Sequence, residues 1–269
     1  MWVNVLGGSA VGILILMLST WGVSVVLRNT SIVDVIWGIG FAIVAFISLI
    51  ITVPSDRTSV GDFFEWESPS RWLLVMLTTI WGSRLSLHLA VRNYGQPEDK
   101  RYAAMRANWG EGYWWKSLFI VFLLQGVVMW VVSLPLQAGI AHAQNGWKLF
   151  HWLGLVSWVI GFYFEAVGDW QLTRFRADPA NKGKVLQHGL WRYTRHPNYF
   201  GDFCIWWGLF LIAVAHGEHL WTIISPVVMS YFLLKISGVT LLEKSLVREK
   251  SEYADYVQHT NVFFPGPRR

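Results

Sequence analysis

The chain has 269 residues, of which 54% are hydrophobic, only 14% are charged and 18 are tryptophan. Soluble domains carry about 25% charged residues, so this composition excludes an ordinary soluble domain and points to a membrane protein with indoles at the bilayer interfaces. The net charge of +5 comes with no basic DNA-reading module, and the single cysteine, Cys204, excludes an intramolecular disulfide and a multi-cysteine metal site.

Seven apolar segments approach the roughly 20 residues that a membrane helix needs. They run over about Val5–Leu27, Ser31–Val53, Trp72–Val91, Trp114–Leu136, Leu149–Leu172, Tyr199–Ala215 and Leu220–Leu242. The predicted architecture is an all-α polytopic helix bundle. The sixth span is short, with a turn expected at His216–His219, and the polar end of the fifth is expected to project beyond the lipid. Met1–Ala10 lacks the basic residues of a signal peptide, so the first span reads as an uncleaved helix. The loops after spans one, three and five, with the C-terminal tail, carry 17 of the 22 Lys and Arg residues, counting Lys116 at the mouth of span four. The positive-inside rule then puts the N-terminus outside and the C-terminus in the cytoplasm, which suits a bacterial inner membrane or an endoplasmic reticulum. A single membrane domain is expected, with residues 1–136 as a lipid-substrate half and 149–269 as a cofactor half. Membrane lipids and a lipid substrate are the expected partners, and nucleic acid is not.

Polar groups inside the spans are expensive and therefore informative. Asp34 lies about one turn into span two. It reads either as a dipole partner behind an N-capping Ser31 or as a buried acid lining a pocket with Trp37. In span three, Arg84, His88 and Arg92 recur at four-residue intervals and share one helical face with Asn93 close by. This stripe fits an anion site, with Trp81 and Arg84 toward the substrate, or else a network of helix-to-helix ion pairs. In span five, Glu165 and Asp169 form an i, i+4 acidic pair suited to receive arginines or to grip ribose hydroxyls. No HExxH or clustered-His motif supports a metal, so none is expected.

The richest stretch is Gly189–Asp202, which places Arg192, Arg195, His196, Asn198, Tyr199 and Asp202 at the entry of an apolar helix. Such a donor-rich entry suits a phosphate-bearing ligand. Upstream, Arg174, Arg176, Lys182 and Lys184 add positive charge, which ordinary positive-inside bias also explains. Neither a GxGxxG fingerprint nor a P-loop occurs, so any nucleotide needs a differently built cleft. The tail from Glu243 to Thr260 reads as a cytoplasmic helix with Leu242, Leu246, Tyr253, Tyr256 and Val257 on its apolar side.

Three pieces occur in order and at matching spacing: Asp169–Pro179, Gly189–Asp202 and Tyr253–Pro265. On these, the chain from about Glu165 to Pro265 resembles the C-terminal half of the steroid 5α-reductase and sterol C14/Δ7 reductase superfamily. With Asp34–Gly38 and Trp81–Arg84 included, the whole chain looks like a bacterial branch of it. The resemblance implies an NADPH-dependent reductase of a carbon–carbon double bond in a steroid-like or other lipid. By motif position the implied cofactor residues are Asp169, Arg176, Arg195, His196, Asn198 and Asp202, with Arg92 and Asn93 from span three. The steroid reductases place a glutamate before the second helix and a tyrosine in the third against the ketone. Here the tyrosine-like position is Trp81, Glu67 is a weak match for the glutamate, and Asp34 is the better-placed acid. Asp34, if burial keeps it neutral, or Tyr199 is the expected proton donor. The Arg-His-Pro-x-Tyr turn is similar also to isoprenylcysteine carboxyl methyltransferases, which bind S-adenosylmethionine. A non-catalytic lipid or nucleotide binder is the third reading.

Overall fold

The computed structural model describes residues 1–52, 68–236, 243 and 252–268. Every regular element among the described residues is helical, and five helices are long and apolar enough to cross a membrane. We number the helices α1 (Trp2–Leu27), α2 (Ile32–Thr52), α3 (Pro69–Asn93), α4 (Lys100–Trp109), α5 (Tyr113–Ser117), α6 (Leu124–Val132), α7 (Leu134–Ala141), α8 (Leu149–Ala177), α9 (Pro197–Ala213), α10 (Ile224–Tyr231) and α11 (Tyr253–His259). The stretch from α4 to α6 forms the fourth long apolar span, Lys100–Val132, interrupted by a π-helical segment at Leu118–Leu123. The sixth predicted span is α9, of 17 residues, and the seventh begins as a shorter apolar helix, Leu220–Lys235. Glu67, Leu242 and Leu246 lie outside the described residues.

The chain divides into two compact units: Met1–Lys148 with Ala213–Thr222, and Leu149–Ile212 with Ile223–Arg269. In the first, α2 is the central helix. It crosses α3 at Gly38 and Gly82, where a Cβ on either glycine would come within 2.3 Å of the opposite carbonyl oxygen, so the backbones touch only because both side chains are absent. The Ser86 hydroxyl reinforces the crossing by accepting from the Ile39 N–H at 2.9 Å. Trp130 donates to the Leu6 carbonyl and binds α6 to α1, and Arg71 Nε donates to the Ile140 carbonyl at 2.7 Å and binds α3 to α7. Pro135 at the start of α7 removes an N–H and breaks the helix from α6. There the buried Gln137 amide donates to Ser133 Oγ and the Trp130 carbonyl.

Contacts inside this unit gather alternate loops at the same end. Thr30 and Ser31 meet Glu98 and Asp99 at one end. At the other, Ser68 meets Gln144, Gln144 meets Glu218, and Trp2 stacks on His219 and meets His142 at a tilt. The turn expected at His216–His219 is present, with Gly217 and His219 both at positive φ.

In the second unit, α8 and α9 pack through glycines spaced seven apart. Gly154 faces Gly208 and Gly161 faces Gly201, each so close that a Cβ would lie 2.5–2.6 Å from the opposing carbonyl oxygen. Gly168, seven further on, abuts Pro197. With 29 residues α8 is about 43 Å long at 1.5 Å per residue, longer than the roughly 30 Å hydrocarbon core.

Candidate functional site

The second unit holds a cleft of about 360 Å³ where the end of α8 meets the loop over 178–196 and α11. Its walls are apolar and aromatic (Leu172, Phe175, Val185, Leu186, Trp191), with Arg176, Lys182, Arg195 and His196 among its polar lining. Local chemistry fixes the loop. Asp178 caps the turn Pro179–Asn181 by accepting from the Ala180 N–H at 2.9 Å, and Asn181 donates to the Phe175 carbonyl. Gly183 follows at φ 83°, which a side chain would resist. Gly189, at φ 62°, lies against Gln171, whose Oε1 accepts from the Leu190 N–H. Trp191 joins three pieces: its indole donates to the Gly168 carbonyl at 3.0 Å, its own carbonyl accepts from the Tyr256 hydroxyl, and its ring lines the cleft.

Arg195 is 5% exposed. Its Nε and Nη2 donate to Glu243 at 2.6 and 3.2 Å, and its Nη1 donates to the Val257 and Thr260 carbonyls. His196 Nε2 lies 3.1 Å from the same Glu243 oxygen, and its ring stacks on Tyr199. Burial opposes the Glu243 charge, but the hydrogen bonds and charges of His196 and Arg195 outweigh it and hold this carboxyl below its ordinary value of 4.5. The Tyr253 and Tyr256 hydroxyls are driven upward, chiefly by burial, and stay protonated. The tail strap is completed by the Arg195 N–H on the Asn261 carbonyl, the Thr194 hydroxyl on Phe263, and the Gly266 N–H on Tyr193.

The structure thus brings Arg176, Arg195 and His196 together in one cleft lining. Asp169 and Asn198 pair with each other at 3.1 Å where α8 meets the start of α9, and Asp202 sits half-buried one turn along α9. The buried Glu165 lies beside Gly201. Lys182, Phe175 and Trp191 were not singled out as lining by sequence. Pro179 and Gly183 mark the 178–196 stretch as a loop in the sequence, but nothing there shows that it folds back on α8. Arg92 and Asn93 fall in the first unit, where Asn93 lines a groove between α1, α2 and α3.

The first unit holds a second polar constellation. Asp34 accepts from Tyr102 Oη at 2.8 Å and from Arg101 Nη2 at 3.0 Å. Tyr102, 5% exposed, accepts in turn from Gln125 Nε2 at 3.1 Å, and Gln125 Oε1 accepts from the Trp37 indole. Trp37 leads through Phe41 to the fully buried Trp81, with ring centroids 5.2 and 5.7 Å apart. Arg84 is half-buried on α3. Below this network Glu98 holds Arg106 by two hydrogen bonds and the Thr30 N–H by a third. Burial opposes its ionisation, but these bonds prevail and hold its pKa below the ordinary carboxyl value. Among the described residues no three His, Cys, Asp or Glu side chains converge as metal ligands.

The fold and these two constellations define a helical integral membrane protein with a basic, aromatic cleft in its second unit. The chain belongs to the family DUF1295, described as a protein of unknown function, which matches residues 20–260. It is similar to the Uncharacterized protein C594.04c of Schizosaccharomyces pombe, 26% identical over 281 residues that cover 91% of this chain and 75% of the yeast protein. No solved structure is a significant match.

Proposed function

We propose that this protein is an NADPH-dependent reductase of a carbon–carbon double bond in a lipid, with seven membrane spans, its N-terminus outside and its C-terminus cytoplasmic. The observation that carries the reading is the second-unit cleft, where aromatic faces suited to a heterocycle stand beside Arg176 and Lys182 suited to phosphates. NADPH, when bound, supplies the hydride. Arg176 and Lys182 neutralise its phosphates, and the ring of Phe175 or Trp191 supports a base or the nicotinamide. Arg195 positions: its guanidinium, spread over Glu243 and two carbonyls, straps the tail so that Tyr253 and Tyr256 close one wall. The paired Asp169 and Asn198 hold the start of α9, and with it the stacked His196 and Tyr199, in place.

The proton donor of this reading is Asp34 acting with its hydrogen-bonded Tyr102, with Tyr199 the other candidate. Tyr102 donates its one hydroxyl proton to Asp34 Oδ1 and accepts from Gln125, so it can release a proton to the substrate only in relay with an Asp34 that is itself protonated, while Arg101 holds the other Asp34 oxygen. An enone lipid reduced at its β-carbon needs such a donor for the developing enolate. The test is NADPH consumption by the purified protein across a panel of enone lipids. Tyr102→Phe and Asp34→Asn are expected to lower turnover by about 10²- to 10⁴-fold while NADPH affinity stays near wild type. Full turnover in both variants would remove the acid role.

A further inference from the structure

The first unit carries a groove of about 410 Å³ bounded by Ser19–Val23 of α1, Asn29–Ile36 across the start of α2, and Ala90–Tyr94 at the end of α3. This volume falls in the range of small-molecule sites, about 300–1,000 Å³. All three helices are long and apolar enough to cross a membrane, so the medium beside the groove is hydrocarbon along Ile32, Val35 and Ile36 and headgroup at the helix ends.

The side-chain amides at the polar end of the groove present donors. Asn29 Oδ1 accepts from the Ser31 N–H at 2.9 Å, and Asn93 Oδ1 accepts from Arg92 Nε at 3.2 Å. Each amide therefore has its acceptor held by the protein and presents its Nδ2 donors. Ser31 and Ile32 open α2, whose N-terminal dipole favours an anion. The nearby acids are bound already: Glu98 by Arg106, and Asp99 and Asp34 by Arg101. Arg92, hydrogen-bonded to Asn93, and Arg28, which caps α1, are exposed at the same end. The rim thus asks for an acceptor-only, negatively charged head, and the wall asks for an alkyl chain.

We infer that this groove is a binding site for an anionic glycerophospholipid, its phosphate at Asn29, Asn93 and Arg92 and one acyl chain along Val35 and Ile36. The site shares no residue with the second-unit cleft or with the Asp34–Tyr102 pair on which the reductase reading rests.

Native mass spectrometry of the delipidated full-length protein, titrated separately with phosphatidylglycerol, phosphatidylcholine and oleate, tests this. One phosphatidylglycerol per chain is expected to bind at least about tenfold more tightly than either competitor, as charged hydrogen bonds of about 1.5–3 kcal/mol imply. The pair Arg92→Gln with Asn93→Leu is expected to erase that preference, and Ile36→Trp, which fills the groove, to erase binding. Helix content and thermal midpoint verify that the variants fold, and the exposed Arg92→Gln alone gives a partial loss if the double variant does not. Equal binding of phosphatidylcholine would overturn the anionic head, preferential binding of oleate would overturn the phospholipid, and unchanged binding by the folded variants would overturn the site.

Discussion

Arg195 and Arg176 look alike as sequence, two arginines in a basic stretch, yet the fold gives them different work. Arg195 is saturated by Glu243, Val257 and Thr260, 48 to 65 residues away, whereas Arg176 lines the cleft from the last turn of α8. Residue type announces a donor; only the fold says which acceptor lies beside it. Arg195→Gln should therefore lower the thermal midpoint, since it strips Glu243 and two carbonyls of their donors at a cost of a few kcal/mol. Arg176→Gln should weaken NADPH about 10- to 100-fold. Glu243 adds a pH signature. Its pKa is depressed in the fold, so its stabilisation is complete above the ordinary value of 4.5 and is lost as pH falls below that toward the folded value. Thermal midpoints measured between about pH 6 and 3 should fall on acidification, and Glu243→Gln should lack that component of the fall. The acid constellation was half legible: Asp34 stands out as a charge inside an apolar span, but Tyr102 and Gln125 look ordinary until the fold brings them from 68 and 91 residues away.

At the scale of elements, the glycines of α8 and α9 set how closely two helices approach. The spacing 154, 161, 168 against 201, 208 is a heptad of absent side chains, and its reciprocal contacts at Gly154–Gly208 and Gly161–Gly201 bring backbone to backbone. Small residues seven apart are too common in apolar helices for one spacing to signal a seam; the pairing of two such series is what identifies it. Gly161→Leu should lower stability in detergent by at least about 1–3 kcal/mol, because the opposing wall is backbone and cannot yield. Gly22→Ala, where a new Cβ meets nothing within 4 Å, should instead raise stability by about 0.5–1 kcal/mol through helix propensity. Denaturation midpoints of the two variants check both signs. Most apolar helices were legible from hydropathy, whereas the π-helical stretch at Leu118–Leu123 and the start of α4 at Lys100, inside a charged run, were not, since neither interrupts the apolar pattern in a diagnostic way.

At the scale of the molecule, the alternation of loops between the two ends of the first unit agrees with the charge pattern. Asn29–Ser31 and Glu98–Asp99 gather at the end rich in Arg and Lys, and Trp2, Gln144 and His219 gather at the other. Charge counting reads this because lipid forces each span to be complete. The reductase reading rests on the second-unit cleft, and its most direct test is thermal stabilisation of the purified full-length protein by NADPH, NADH and S-adenosylmethionine. Stabilisation by NADPH alone, diminished in Arg176→Gln, is the predicted result. Stabilisation by S-adenosylmethionine with none by NADPH would contradict the account and make the protein a methyltransferase.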